Sequence, residues 1–252
     1  MLQTRVIPCL QLTGNSLVKT VKFNKPSYIG DPINTVRIFN ELEVDELCFL
    51  DIRASVEKRQ PDFEILRQIA DECFMPLSYG GGVRDSDTAK KILSIGFEKI
   101  ILNTIVYTNP SIINEIAKHS GVQSLVVSVD VKKNIWGKYQ VYSNDGTVQE
   151  NKELLSWVKD LENMGAGEIL LTSMDQDGTW AGYDVDLIKK VTQSINIPVI
   201  ANGGAGSMEH INKVVKFGGA SAVALGSMVV YQQKGMGVLI NFPDKEILKS
   251  NL

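Results

Sequence analysis

Two stretches, MPLSYGGGVRD (75–85) and IPVIANGGAGS (197–207), decide how this chain folds. Each runs from a proline through a short apolar segment to a glycine pair, and the two copies stand 122 residues apart: Pro76 matches Pro198, Gly81 matches Gly203, and Gly82 matches Gly204. Glu46 with Glu168 and Gly96 with Gly218 keep the same offset, so EVDELCFLDI (43–52) answers GAGEILLTSM (165–174). A period of about half the chain predicts two four-unit halves; a solenoid would show repeats of about 20–50 residues.

Outward from these stretches, short β-branched runs alternate with longer amphipathic segments. Strands are expected at 6–10, 46–51, 76–79, 99–103, 125–130, 168–172, 198–202 and 222–226. DPINTVRIFNELE (31–43) and NKELLSWVKDLENMG (151–165) place apolar residues at helical spacing behind an Asp or Asn cap. Eight strand-then-helix units without a Pro/Gly-rich linker predict an α/β fold: a single (βα)8 TIM barrel over 1–252, with half-barrels at about 1–122 and 123–252.

Composition removes several function classes. With 44% hydrophobic and 22% charged residues the chain has the apolar mass of a globular core, and a net charge of −3 gives no reason to expect nucleic acid. No membrane span and no targeting segment are expected, which favours a cytoplasmic location. Cys9, Cys48 and Cys73 are an odd number in apolar contexts and read as reduced core residues. His119 and His210 have no partner at metal-ligand spacing, so neither a metal nor another cofactor is expected, and a Ser-His-Asp triad is improbable.

In a (βα)8 barrel the loops after the strands build the active-site face, where backbone N–H groups hold phosphate. GGGVRD follows strand 3 and NGGAGS follows strand 7; bare glycines let the backbone approach a dianion. Glycine pairs also make ordinary tight turns. Here both are in register, and each is followed by a polar strand end, Asn103-Thr104 after strand 4 and Gly226-Ser227 after strand 8. Gly81, Gly82, Gly203 and Gly204 with these four residues therefore suggest a ligand with a phosphate at each end. Asp130, ending strand 5, is the candidate acid–base group, with a helix cap or a salt bridge to Lys132 as the plainer reading. Asp51, and Asp177 with Gly178, end strands 2 and 6 and fit either ligand contact or loop structure. IPCLQLTGNSLVKTVKF (7–23) ends strand 1 at Gln11 and continues through a Gly14-Asn15-Ser16 turn to Lys19, consistent with a mobile loop or a fixed turn. KKNIWGKYQVYSNDGT (132–147) reads as a hairpin, with turns at Gly137 and Asp145-Gly146.

GGGVRD, ILNT, VVSVDVKK, GAGEILLTSMDQDGT, IPVIANGGAG and GGASAVALGS together resemble the HisF family, the cyclase subunit of imidazole glycerol phosphate synthase, from about Arg5 to Ser227. The resemblance implies a bisphosphate ligand, with Lys19 and its loop among the phosphate-binding elements, and a heterodimer with a glutamine amidotransferase (HisH-like) subunit that supplies ammonia. It assigns Arg5, Glu46, Lys99 and Glu168 to a charged gate at the strand starts; a stabilising salt-bridge network is the alternative. It also implies that two strand-end carboxylates perform the acid–base work, and these positions hold Asp130 and Gln11 here.

An amide cannot exchange a proton near neutral pH, and loss of a positioned acid–base group costs about 100- to 10,000-fold. LVKTVKFNKPSYIGDPINTVRIFNELEVDEL (17–47) resembles a divergent HisF-like branch associated with acetamidino modification of surface-glycan sugars. Other readings stay open: a true histidine-pathway cyclase in which Asp51 or water replaces the missing acid, a non-catalytic ammonia conduit, and, less favoured, a phosphosugar isomerase.

Overall fold

The computed structural model describes residues 4–251. Eight parallel strands close into a barrel: β1 (Arg5–Thr13), β2 (Leu47–Asp51), β3 (Leu77–Gly80), β4 (Lys99–Leu102), β5 (Leu125–Lys133), β6 (Glu168–Ser173), β7 (Val199–Asn202) and β8 (Ala222–Leu225). Each strand pairs with the next, and β8 returns to β1 with Arg5 opposite Ala222 and Pro8 opposite Leu225. The helices that follow are α1 (Pro32–Glu41), α2 (Phe63–Glu72), α3 (Ser86–Ile95), α4 (Ser111–Ser120), α5 (Leu154–Met164), α6 (Val185–Thr192), α7 (Met208–Gly218) and α8 (Lys245–Asn251). Among the described residues no helix is long and apolar enough to cross a membrane.

Period-two alternation along the strands sorts side chains into two cores. Val6, Leu10 and Leu12 face outward into the main cluster, which packs the helices against the barrel. Ile7, Cys9, Cys48, Ile101, Val126, Leu170, Ile200, Ala222 and Ala224 form a second cluster inside the barrel. The β1 row therefore runs Arg5, Ile7, Cys9, Gln11 from one end of the interior to the other, and the β6 row runs Glu168, Leu170, Thr172. Charged residues occupy one end, apolar residues the middle, and polar residues the other.

The 122-residue offset recurs in the helix caps. The Asp62 carboxylate accepts from the backbone N–H groups of Glu64 and Ile65, and Asp184 accepts from that of Leu187; likewise Asp85 accepts from Thr88 and Ser207 from His210. These contacts satisfy backbone donors that a helix start leaves open. The offset slips by one at the other end of α7: Gly96 follows α3 at φ 128°, but Gly218 is helical and Gly219 takes the φ 72° cap. The α5 cap is Glu153, two residues beyond the Asn151 expected, because the buried stripe Leu154, Trp157, Val158 and Leu161 begins the helix at Leu154.

Two antiparallel extensions rise from the barrel mouth on opposite sides. Past Gln11, β1 pairs with the strand Ser16–Val21, which pairs in turn with Asn24–Gly30. The Gly14-Asn15 segment is thus a hairpin turn. The long strand β5 pairs with Tyr139–Ser143, with Asp130 opposite Tyr142, forming the second hairpin expected from its glycines.

Candidate active site

At the strand starts, four charged side chains make a closed ring. Arg5 Nη1 is 2.7 Å from Glu46 Oε2 and Arg5 Nη2 is 2.7 Å from Glu168 Oε2. Lys99 Nζ completes it, 3.2 Å from Glu46 Oε2 and 3.0 Å from Glu168 Oε1. Each carboxylate faces both cations, so two buried acids are neutralised without a surplus charge. Further up the interior, beyond Ile7 on β1, Cys9 Sγ and Cys48 Sγ lie 3.7 Å apart.

At the strand ends a cavity, open at its mouth, brings together Gln11, Lys19, Gly81, Gly82, Asn103, Thr104, Asp130, Asp177 and Gly226. A concave site lined by apolar side chains with a few convergent polar groups suits a small-molecule ligand. Asp51 lines it as well, whereas Gly178, Gly203, Gly204 and Ser227 stand outside this lining. Gly178 holds the β1 hairpin instead: a Cβ there would meet Thr20 O at 2.8 Å.

The carboxylates in this cavity differ in what they already hold. Asp51 accepts from the backbone N–H groups of Arg53 and Ala54 and pairs with both Arg59 Nη atoms at 3.2 and 3.3 Å. Its role is to fix the β2 loop. Asp177 pairs with Lys19 Nζ at 2.8 Å, and that pair is buried on both sides. Lys19, expected in a phosphate-binding loop, lies in the strand Ser16–Val21 and also donates to Thr20 O at 2.7 Å. Lys22 N donates to Asp177 O at 2.9 Å, so the β1 hairpin is tied down across the mouth onto the β6 loop.

Asp130 is buried and receives Asn103 Nδ2 at 3.0 Å, with Ser128 Oγ 3.5 Å away. Burial pushes its carboxyl up to about 7 against hydrogen bonds from Thr172, Asn103 and Ser128, and the charge of Asp145 adds to the rise. A carboxyl in that range can both give and take a proton near neutrality.

Gln11 faces the same cavity with its amide oriented. Oε1 accepts from Thr20 N at 2.8 Å, which turns Nε2 away from the hairpin, and no acceptor for Nε2 stands among the described residues' hydrogen bonds. Thr20 Oγ1 lies 3.2 Å from Gln11 Oε1 and 3.1 Å from Asp177 Oδ2, its single hydrogen serving one of the two. Gln11 thus joins β1 to its own hairpin and offers the cavity a donor.

The glycine pairs hold conformations that side chains resist. Gly81 has φ 127° and Gly203 φ 91°; a Cβ would lie 2.6 Å from Asp51 O in one and 2.7 Å from Ser173 O in the other. Gly81→Ala is therefore expected to cost about 3 kcal/mol or more, combining backbone strain with overpacking. Gly14→Ala, at φ 56° with open space around it, should cost on the order of 1 kcal/mol. Urea midpoints for the two variants check the difference; equal midpoints would contradict it.

Asp145, Arg53 and Arg59 were not among the expected site residues. Asp145 reads in sequence only as half of an Asp-Gly turn, yet it lines the cavity. Among the described residues no group of three or more His, Cys, Asp or Glu side chains is placed to hold a metal.

Residues 5–235 match a family model described as histidine biosynthesis protein. A Pseudomonas aeruginosa protein provisionally named imidazole glycerol phosphate synthase subunit hisF2 is 46% identical over 244 residues, covering 97% of both chains. A Leptospira borgpetersenii protein, provisionally named as the HisF subunit, is 46% identical over 252 residues, covering 98% of this chain and 99% of its own. The imidazole glycerol phosphate synthase subunit HisF of Methanococcus vannielii is 39% identical, covering 100% and 98%.

Proposed function

The chain belongs to the histidine biosynthesis protein family, among its HisF-type synthase subunits, and from that premise we propose that it is an ammonia-using barrel with an altered upper site. Ammonia from a glutamine amidotransferase subunit of HisH type enters through the ring of Arg5, Glu46, Lys99 and Glu168. It reacts with a phosphorylated small molecule at the opposite end of the barrel. The carrying observation is the inward row Arg5, Ile7, Cys9, Gln11, which leads from a neutral ion ring through an apolar interior to the cavity. Ammonia is small and uncharged, so an apolar interior closed by paired charges suits its passage and disfavours ions.

The partner's docking face is the lower one. Phe74 and Val122 are exposed in segments that lead from a helix end to the next strand start, and Phe217 is exposed in the last turn of α7. Large apolar side chains exposed on several connections of that face suit a permanent subunit contact.

Gln11 in place of an acid favours a divergent paralogue over a histidine-pathway cyclase, and the resemblance of residues 17–47 to the acetamidino-associated HisF-like branch suggests the use: amidination of a surface-glycan sugar. Coexpression with the HisH-type subunit should raise glutaminase activity, and the pair should not rescue a histidine auxotroph deleted for its cyclase. Robust rescue would sink the paralogue reading. In the same assay Gln11→Asp is expected to confer no imidazole glycerol phosphate synthesis. A gain of about 100-fold or more would mean that the cavity still accepts the aminoimidazole ribotide and lacks only its acid.

A further inference from the structure

We propose that Asp145, on the turn of the β5 hairpin, is the second acid–base carboxylate of the upper cavity and forms a working pair with Asp130. The inference rests on the ammonia-using reading above and supplies the group that Gln11 cannot.

Four carboxylates line the cavity: Asp51, Asp130, Asp145 and Asp177. Asp51 is spent on two backbone donors and the Arg59 fork, and Asp177 on Lys19 and the β1 hairpin. Two remain. Asp145 has Arg53 Nη1 at 3.9 Å, at the limit of an ion pair, and that arginine is 40% exposed where Asp145 is 14%. A carboxylate at a hairpin turn is ordinarily solvated; this one is turned inward and left incompletely paired.

The local backbone explains the direction. Asn144, Asp145 and Gly146 take φ 53°, 56° and 70° in succession, a left-handed run that curls the tip back over the barrel. Side chains other than glycine enter this region at a cost, so outside contacts must hold it. Asn144 N donates to Thr104 Oγ1 at 3.1 Å, fixing the tip to the end of β4. At Gly146 a Cβ would lie 2.4 Å from the Met174 methyl and 3.1 Å from the Phe23 ring, so the two hairpins close on each other here. The tip is clamped with Asp145 beneath it.

The charged groups around Asp145 are Arg53 from the β2 loop, Asp177 from the β6 loop and Asp130 from β5. Burial pushes the Asp145 carboxyl up to about 6, Arg53 opposes the rise, and Asp177 adds to it. Two carboxyls in this range share the work of an ammonia reaction. One, as carboxylate, takes the proton that nitrogen sheds on bonding to carbon. The other, as acid, returns a proton to the nitrogen whose bond to carbon breaks. One C–N bond forms, one breaks, and the net proton count is unchanged.

Titration of the full chain labelled with carboxyl-¹³C aspartate tests the pair without any substrate. In Asp145→Asn the Asp130 midpoint should fall, on the order of half a unit or more, because a neighbouring negative charge is gone. In Arg53→Met, which leaves both carboxyls in place, the Asp145 midpoint should rise. An unmoved Asp130 midpoint in a folded Asp145→Asn chain overturns the proposal. In a strain deleted for this gene, Asp145→Asn should restore the missing product, amidinated glycan or histidine, at about a hundredth of the wild-type rate or less. Near-normal restoration also overturns it. If the deletion removes neither product, the ammonia-using reading fails, and the coupled titration alone still decides whether the pair exists.

Discussion

Asp130→Asn is expected to lower ammonia-dependent product formation by about 100- to 10,000-fold and, above pH 7, to raise the melting temperature. The two effects share a cause. The Asp130 carboxyl is held up to about 7 by burial, from an ordinary 3.8, so the folded chain binds this proton more tightly than the unfolded one. Its contribution to stability is fully present below about pH 3.8 and is lost as pH rises through 7. Above that, the wild type carries a buried carboxylate that asparagine replaces with a neutral group able to keep the Asn103 contact. A shift of about three units corresponds to at most about 4 kcal/mol. The melting-temperature gain should be largest near pH 8 and shrink as the pH approaches 4. A gain independent of pH would indicate that Asp130 is not held protonated by its surroundings.

Lys99→Met should destabilise the barrel by about 3–5 kcal/mol, the usual consequence of removing one partner from a buried ion pair. Without Lys99, Glu46 and Glu168 face each other across Arg5 with one cation between them. Neutralising one acid as well should recover much of the loss: the Glu46→Gln/Lys99→Met double variant leaves Arg5 and Glu168 as a matched pair. The coupling in this double-mutant cycle is expected at about 1–3 kcal/mol and is read from denaturant midpoints. Additive losses would mean that the four side chains act separately. Glutamine-driven activity in the complex should change more than activity driven by added ammonium, because the ring stands at the entrance and not at the upper site.

The barrel was legible in sequence because its two signals are local and periodic: apolar runs of strand length, and glycine pairs recurring at a fixed offset. The ring came from the family resemblance, and its placement agrees with the strand boundaries: Arg5, Lys99 and Glu168 begin strands and Glu46 directly precedes one. The site's second carboxylate was not legible. Asp145-Gly146 reads as a turn from its own residues, and only contacts with Thr104, Met174 and Phe23, far away in sequence, bury it. Lys19 is a parallel case. Its pairing with Asp177, 158 residues away, is equally invisible in its own stretch of sequence. Alternation predicts which face a residue occupies, and tertiary partners decide what remains for that residue to bind.

Barrel closure also sets a schedule for synthesis. Strand β1 finds one edge partner in β2 soon after it emerges, but its other edge waits for β8, with Arg5 opposite Ala222. Arg5 meets Glu168 across 163 residues, which at about 5–20 residues per second takes roughly 10–30 s to translate. During that interval the row that becomes the interior is an open apolar edge, with Ile7 and Cys9 uncovered and Arg5 lacking half its ring. The nascent first half therefore presents the hydrophobic, unpaired strand that chaperones recognise, and slowing translation after Gly121 should increase its aggregation more than slowing before Glu46.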